Sequence, residues 1–266
     1  MSLKVWITGA SEGIGRACAE HFAQQGASLA LCARRLKPLE DLAKHLRELG
    51  APIVVACAAD VGSKEELENF AARGLTELGG VDVLVNNAGG GGPGRALEMD
   101  DDSFEADWNY AFQINLMAPL RLVRKLAEPL RNSHGVVINI SSAWSRSPAS
   151  FTPPSYAATK AGLNVLTHEL AQDFGKDGVR VVGVAPGPVW TESWDRDAEA
   201  EAAESGRSLE EVRLATAHEV GAATKVGRPG TPHEIASLVG FLATTDAAFI
   251  SGTTILADGG YVRSIP

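Results

Sequence analysis

Short, continuous apolar runs rich in β-branched residues alternate with helix-like stretches along almost the whole chain. The runs fall at Leu3 to Thr8, Ser28 to Cys32, Ile53 to Ala58, Val81 to Asn86, Gly135 to Ser141, Val179 to Ala185 and Thr253 to Ala257. Most do not alternate in polarity, as expected of parallel strands covered on both faces. Helix starts are readable between them. Ser63 with Glu66 forms a capping box, as does Thr231 with Glu234, where Pro232 takes the first helical position. Asp100, Asp101 and Asp102 read as a helix N-terminus, favourable with the helix dipole. The pattern predicts an α/β fold, a doubly wound seven-stranded parallel sheet with helices on both faces. Neither an internal repeat nor a low-complexity linker interrupts it, so residues 1–266 read as a single domain.

Composition narrows the function classes. A chain of 266 residues is long enough for one full core. Its 45% hydrophobic and 21% charged residues are ordinary for a soluble protein and argue against disorder. The formal net charge of -9 disfavours nucleic-acid and anionic-membrane partners, which want a basic face. No apolar run reaches membrane-spanning length. The opening Met1-Ser2-Leu3-Lys4 leads straight into a strand-like run, so no signal peptide and a cytoplasmic location are expected. Cys18, Cys32 and Cys57 have no metal-type or redox-type spacing and read as buried thiols in a reducing compartment. His21, His45, His134, His168, His218 and His233 likewise show no ligand spacing, and no metal is expected.

The stretch Tyr156-Ala157-Ala158-Thr159-Lys160 carries candidate chemistry, because residues four apart share a helix face. An unperturbed phenol titrates near pH ~10. A cation beside it favours the phenolate, making the tyrosine a usable proton donor and acceptor near neutrality. Taken alone, such a pair is usually a packed ring beside a solvated charge. The rest of the chain decides. The first apolar run leads into Thr8-Gly9-Ala10-Ser11-Glu12-Gly13-Ile14-Gly15 and then a helix. Glycines there permit a tight turn and let backbone N–H groups approach a pyrophosphate at the helix N-terminus. This G-x-x-x-G-x-G spacing, with YxxxK, resembles the short-chain dehydrogenase/reductase family, whose members share a Rossmann fold. The resemblance runs nearly the full length through Asn86-Asn87-Ala88-Gly89, Asn115, Ser142, Pro186-Gly187-Pro188-Val189-Trp190-Thr191 and the closing segment from Arg228 to Tyr261.

The resemblance implies a carbonyl/alcohol oxidoreductase with a nicotinamide dinucleotide cofactor. Gly9, Ser11, Gly13, Ile14 and Gly15 would cradle it, and Asp60 with Val61 would hold the adenine. Asn87, Ala88 and Gly89 would let the strand end pass close by, with Asn87 in contact. Val189, in the Pro186-Gly187 segment, would meet the carboxamide, and Thr191 the phosphates. No carboxylate lies between Ser28 and Arg35, while Arg34 and Arg35 follow Ala33. Arginines there can grip a 2′-phosphate, which points to NADP(H) with NAD(H) possible, or they are simply solvated at a strand end. Glu12 departs from the basic residue that NADP-dependent relatives often carry in that turn.

By the same resemblance Tyr156 would donate the proton, while Lys160 lowers its pKa and holds the ribose hydroxyls. Ser142 would steady the substrate oxygen, and Asn115 would hold a relay water. The separation of Ser142 from Tyr156, with Pro153 and Pro154 between, is longer than the family pattern. Trp144, Phe151, Trp190 and Trp194 suit either an apolar substrate cavity or ordinary loop packing. Residues 191–225 read as a substrate lid. The family's assembly implies a homo-oligomer, a tetramer or dimer, through the helices around Asn115 and Tyr156 and the last strand. An NAD-dependent alcohol, sugar or steroid dehydrogenase and a non-catalytic dinucleotide sensor are the alternatives, the latter disfavoured by retention of Tyr156 and Lys160.

Overall fold

The computed structural model describes residues 2–91, 99–149 and 152–263. Strands β1 (Lys4–Thr8), β2 (Ser28–Ala33), β3 (Val54–Ala58), β4 (Val83–Asn86), β5 (Val136–Ile140), β6 (Arg180–Pro186) and β7 (Thr254–Ala257) form one sheet. Its order is β3-β2-β1-β4-β5-β6-β7, and every pairing is parallel. Each expected apolar run is a strand, with small displacements at the ends. The winding direction reverses between β1 and β4, which opens a crevice at the carboxyl ends of the strands.

Successive residues of each strand feed opposite cores. Val5 and Ile7 pack with α1 (Gly13–Gln24), α2 (Leu36–Glu48) and α9 (Pro232–Leu242), while Trp6 turns to the other face. That second face is covered by α3 (Lys64–Leu78), α5 (Ala118–Ser133) and α6 (Pro154–Phe174). Trp6 meets Phe70 edge-on at 5.2 Å and donates its indole N–H to the Gly80 carbonyl at 3.0 Å. A Cβ at Gly74 would lie 2.3 Å from the indole, so the wide ring is accommodated by a bare helix position. Ahead of α5 in the chain lies α4 (Asp101–Phe112), capped by Asp100, whose Oδ1 accepts the Ser103 N–H at 2.9 Å. One π-helical turn, Gln113–Met117, joins α4 to α5.

The Thr231 capping box is complete: Thr231 accepts from Glu234 N, and Glu234 accepts from Thr231 N. The Ser63 box is only half made, which corrects the sequence expectation. Ser63 Oγ accepts the Glu66 N–H at 3.3 Å, but the Glu66 carboxylate reaches past it to Asp60 N at 2.7 Å. Ser63 N is already committed to the Asp60 carbonyl at 3.0 Å. Among the described residues no helix is long and apolar enough to cross a membrane, and no cluster of His, Cys, Asp or Glu could hold a metal. The three cysteines are buried and free, and burial pushes the Cys18 thiol up to about 12.

A buried polar ladder locks α6 to the sheet. Asn86 Nδ2 donates to Asn139 Oδ1 at 2.8 Å, and Asn139 Nδ2 donates to Thr167 Oγ1 at 2.9 Å. Ser141 Oγ adds a bond to the Lys160 carbonyl at 3.2 Å. Satisfied networks of this kind are specific in direction, so they fix the rotation of α6 and with it where Tyr156 and Lys160 point.

Candidate active site

Two cavities adjoin at the carboxyl edge of the sheet. The first, about 300 Å³, is lined by Gly9, Ser11, Ile14, Arg34, Arg35, Asp60, Val61, Asn87, Ala88, Gly89 and Thr191. The second, about 220 Å³, is lined by Ser142, Trp144, Tyr156, Lys160, Pro186, Gly187, Val189 and Trp194. Ile14, Asn87, Gly89 and Thr191 line both, so the two form one groove running from the end of β2 to the start of α6.

Gly13 and Gly15 lie behind this wall. Gly13 has φ +59, and a Cβ at Gly15 would sit 2.2 Å from the Gly9 carbonyl oxygen. The turn is tied to the end of β4. Thr8 Oγ1 accepts from Asn87 N at 3.1 Å and Ala88 N at 3.0 Å, while Asn87 Nδ2 donates to the Thr8 and Gly9 carbonyls at 2.9 and 3.0 Å. The Asn87 amide thus braces the turn from behind, a role the sequence did not suggest. Asp60 faces the cavity and also closes a turn, its Oδ1 accepting Gly62 N at 2.9 Å.

At the other end, Tyr156 and Lys160 share the inward face of α6. Lys160 Nζ lies 5.7 Å from the Tyr156 ring centroid and donates to the Ile140 carbonyl at 2.7 Å. Burial pulls the ammonium pKa down to about 8. Part of the Tyr156 side chain reaches solvent, yet burial around its hydroxyl pushes the phenol pKa up, with a Ser142 hydrogen bond opposing. The protein alone thus does not show the expected lowering of the phenol by its lysine neighbour: desolvation dominates, and the opposing contribution is the Ser142 hydrogen bond. Ser142 Oγ accepts the Trp144 N–H at 3.1 Å, which leaves its own proton free to donate toward the phenol or a substrate oxygen.

Asn115 is fully buried on the π-helical turn and lines neither cavity. Its Oδ1 accepts Gly90 N at 3.2 Å, and its Nδ2 donates to the Gly90 carbonyl at 2.7 Å and to Thr159 Oγ1 at 3.0 Å. A Cβ at Gly89 would come within 2.7 Å of both Asn115 Oδ1 and Lys160 Nζ, so the missing side chain lets these two residues approach. Trp144 packs edge-on against Tyr156 at 6.1 Å and donates its indole N–H to the Tyr261 hydroxyl at 3.3 Å. Trp190 is not in the cavity wall. It stacks edge-on behind Trp194 at 5.5 Å and donates to Asp195 Oδ1 at 3.1 Å, so it supports the wall without forming it. Phe151 lies outside the described residues.

Several residues of this region escaped sequence reasoning. Tyr110 and Ile114 line the first cavity, four residues apart and just ahead of Asn115, a helical spacing that could have flagged them. Pro188 and Ala143 line the second. From α7 (Glu192–Ser205), which is followed by α8 (Leu209–Ala223), Glu192 accepts the Gly13 N–H and Arg196 pairs with Glu12. Those contacts join residues 179 and 184 positions apart, and nothing local signals them.

The residues present fit a dinucleotide. The glycine turn opens α1 at the edge of the first cavity, the end of β2 carries arginines in place of an acid, and the groove is continuous from there to Tyr156.

A family model described as "Enoyl-(Acyl carrier protein) reductase" matches residues 9–262. Nodulation protein G of Rhizobium sp. (strain N33) is 34% identical over 97% of this chain and 96% of its own. The 7alpha-hydroxysteroid dehydrogenase of Escherichia coli (strain K12) is 32% identical over 97% and 94%. Among solved structures, L-sorbose reductase from Gluconobacter frateurii, complexed with NADPH and L-sorbose, superposes with a TM-score of 0.91 at 30% identity, covering 99% of this chain and 98% of that one.

Proposed function

Since the chain belongs to the short-chain dehydrogenase/reductase family, we propose that it is an NADP(H)-dependent enzyme that reduces a carbonyl group, or oxidises the matching alcohol, on a small, largely apolar substrate. The observation that carries this reading is the convergence of Ser142, Tyr156 and Lys160 in one cavity that continues into a groove ending at Arg34 and Arg35. Two neutral hydroxyl donors side by side suit a carbonyl oxygen on which negative charge develops. The NADPH bound in the solved structures of two similar proteins, L-sorbose reductase among them, supports the cofactor.

In this reading the bound nicotinamide supplies the hydride equivalent to the carbonyl carbon. The remaining work belongs to the chain. Ser142, with its oxygen fixed by the Trp144 N–H, orients its proton toward the substrate oxygen. Tyr156, kept protonated through neutral pH by burial, donates to the same oxygen as charge builds there. Lys160, charged below about pH 8, stabilises the phenolate left behind and would hold the ribose hydroxyls of a bound cofactor. Asn115 holds the Gly90 backbone from both sides and so fixes the loop facing Tyr156, where a Cβ at Gly91 would come within 2.7 Å of the tyrosine. A relay water beside Asn115 belongs to the same reading. Trp144, Trp194, Pro188 and Val189 give the substrate cavity flat apolar walls suited to a ring or chain. The helices α7 and α8 act as its lid. Exposed Phe112 and Val165 on the helices around the site, and Phe241 and Phe249 near β7, fit burial in a homo-oligomer, a tetramer or dimer.

The test is a screen of ketones, β-keto esters, sugars and steroids with each nicotinamide cofactor. NADPH oxidation that depends on an added carbonyl compound, with kcat/KM higher than for NADH, is expected. Cofactor binding with no turnover on any of these classes would instead make the protein a dinucleotide sensor.

A further inference from the structure

Glu12 sits in the glycine turn, in the wall of the same cavity as Arg34 and Arg35. An uncompensated carboxylate there would repel an incoming phosphate. Its surroundings cancel it. Arg35 Nη2 donates to Glu12 Oε2 at 3.1 Å, and Arg196 grips both oxygens, Nη1 to Oε2 at 3.0 Å and Nη2 to Oε1 at 2.9 Å. The second pairing is the planar, bidentate geometry at which a guanidinium is strongest. The Arg196 hydrogen bond is also the main reason Glu12 is held below the ordinary carboxylate range, with Arg35 contributing less and partial burial opposing.

The arrival of Arg196 is part of a docked helix face. Glu192, four residues earlier on α7, places Oε2 at 2.8 Å from the Gly13 N–H. Residues at that spacing lie on one side of a helix. One face of α7 therefore offers an acid to the backbone of the turn and a base to its one carboxylate. All three members of the Glu12 cluster are partly exposed, with side chains 36% (Glu12), 65% (Arg35) and 52% (Arg196) accessible, so the pairs add little to stability. Their consequence is local charge.

We propose that Arg196, carried by the lid helix, is a specificity-determining residue for the cofactor: by offsetting the Glu12 charge it keeps the Arg34 and Arg35 end of the groove net positive, so that Arg34 and the Arg35 N–H groups not bonded to Glu12 can bind the 2′-phosphate of NADP(H). The inference rests on the reading that the groove takes NADP(H). With Arg196 in place, three guanidinium groups face one carboxylate. Without it, the charge of Arg35 is offset by Glu12, and the net charge of one arginine is left to meet a doubly charged phosphate. NADP selectivity is then a property of α7 when docked on the turn as well as of the end of β2, and it explains how a turn carrying an acid can still take a phosphorylated ribose.

The experiment is a fluorescence titration of NADPH and NADH against the full chain and the variants Arg196→Leu, Glu12→Gln and the double variant. Arg196→Leu should weaken NADPH about tenfold and leave NADH within about twofold. Glu12→Gln should bind NADPH at least as tightly as the unaltered chain. The double variant should recover NADPH affinity, because the charge needing neutralisation has gone. Equal loss of both cofactors in Arg196→Leu, or no recovery in the double variant, overturns the proposal and makes the contact merely structural. Failure of the cofactor reading itself shows separately, as an unaltered chain that binds NADH as tightly as NADPH, and that result removes the proposal with it.

Discussion

Lys160 carries an energetic cost that its proposed role requires. It is 3% exposed, and burial brings its pKa from 10.5 to about 8. The unfolded chain therefore binds this proton more tightly than the folded one, so the cost is fully present below about pH 8 and fades as pH rises toward 10.5. On the linkage scale that cost is about 3 kcal/mol, set against about 1–3 kcal/mol for stranding the Ile140 carbonyl if the donor is removed. Lys160→Met should accordingly leave stability unchanged or raise it by up to about 2 kcal/mol at pH 7, while abolishing turnover. Urea unfolding at pH 7 and pH 10 tests this. Relative to the unaltered protein, the variant should lose ground at the higher pH, and a gain there would contradict the burial argument. The shared helix face of Tyr156 and Lys160 was legible in their spacing, since four residues bring side chains together in any helix. The upward shift of the phenol was not, because it depends on what surrounds the hydroxyl after folding.

The strand-turn-helix unit at the start of the chain shows the same division at the scale of elements. Its existence was readable from Thr8 to Gly15, because an apolar run, a glycine turn and helical periodicity are all local signals. The reason for the last glycine is visible only in space. A Cβ at Gly15 would meet the Gly9 carbonyl at 2.2 Å and Asn87 Nδ2 at 2.5 Å, both parts of the brace between β1 and β4. Gly15→Ala should thus open the turn, costing roughly 1–3 kcal/mol by overpacking and weakening dinucleotide affinity more than tenfold. Thermal unfolding with and without NADPH checks both, and unchanged ligand stabilisation in the variant would show that the turn tolerates the methyl. All seven strands were legible as continuous apolar runs, since burial on both faces leaves little place for polar residues. The π-helical turn under Asn115 was not, because one extra residue in a helix leaves no mark in its composition. The Ser63 box misled for a related reason. Its sequence pattern is correct, but Asp60 competes for both the backbone and the glutamate.

For the molecule as a whole, the sheet brings residues from the first turn, the middle helix and the segment after β6 into one groove. Motifs that are local, such as the glycine turn, YxxxK and the Pro186 to Thr191 segment, could be placed on its edge from sequence alone. Contacts between distant segments could not. Glu12 with Arg196 and Trp144 with Tyr261 depend on how loops fold over the sheet edge. The net charge of -9 makes the guanidinium-rich end of the groove a local exception, which suits an anionic cofactor end without making the protein a general anion binder. The central claim is that one groove joins bound NADPH to a half-buried tyrosine proton donor. Its most direct test compares the unaltered chain with Tyr156→Phe at saturating NADPH, on the best carbonyl substrate from the screen, with cofactor affinity measured alongside. Loss of the donor should lower kcat by about 10²–10⁴-fold while the NADPH Kd stays within about twofold. A variant that turns over at the unaltered rate would contradict the account.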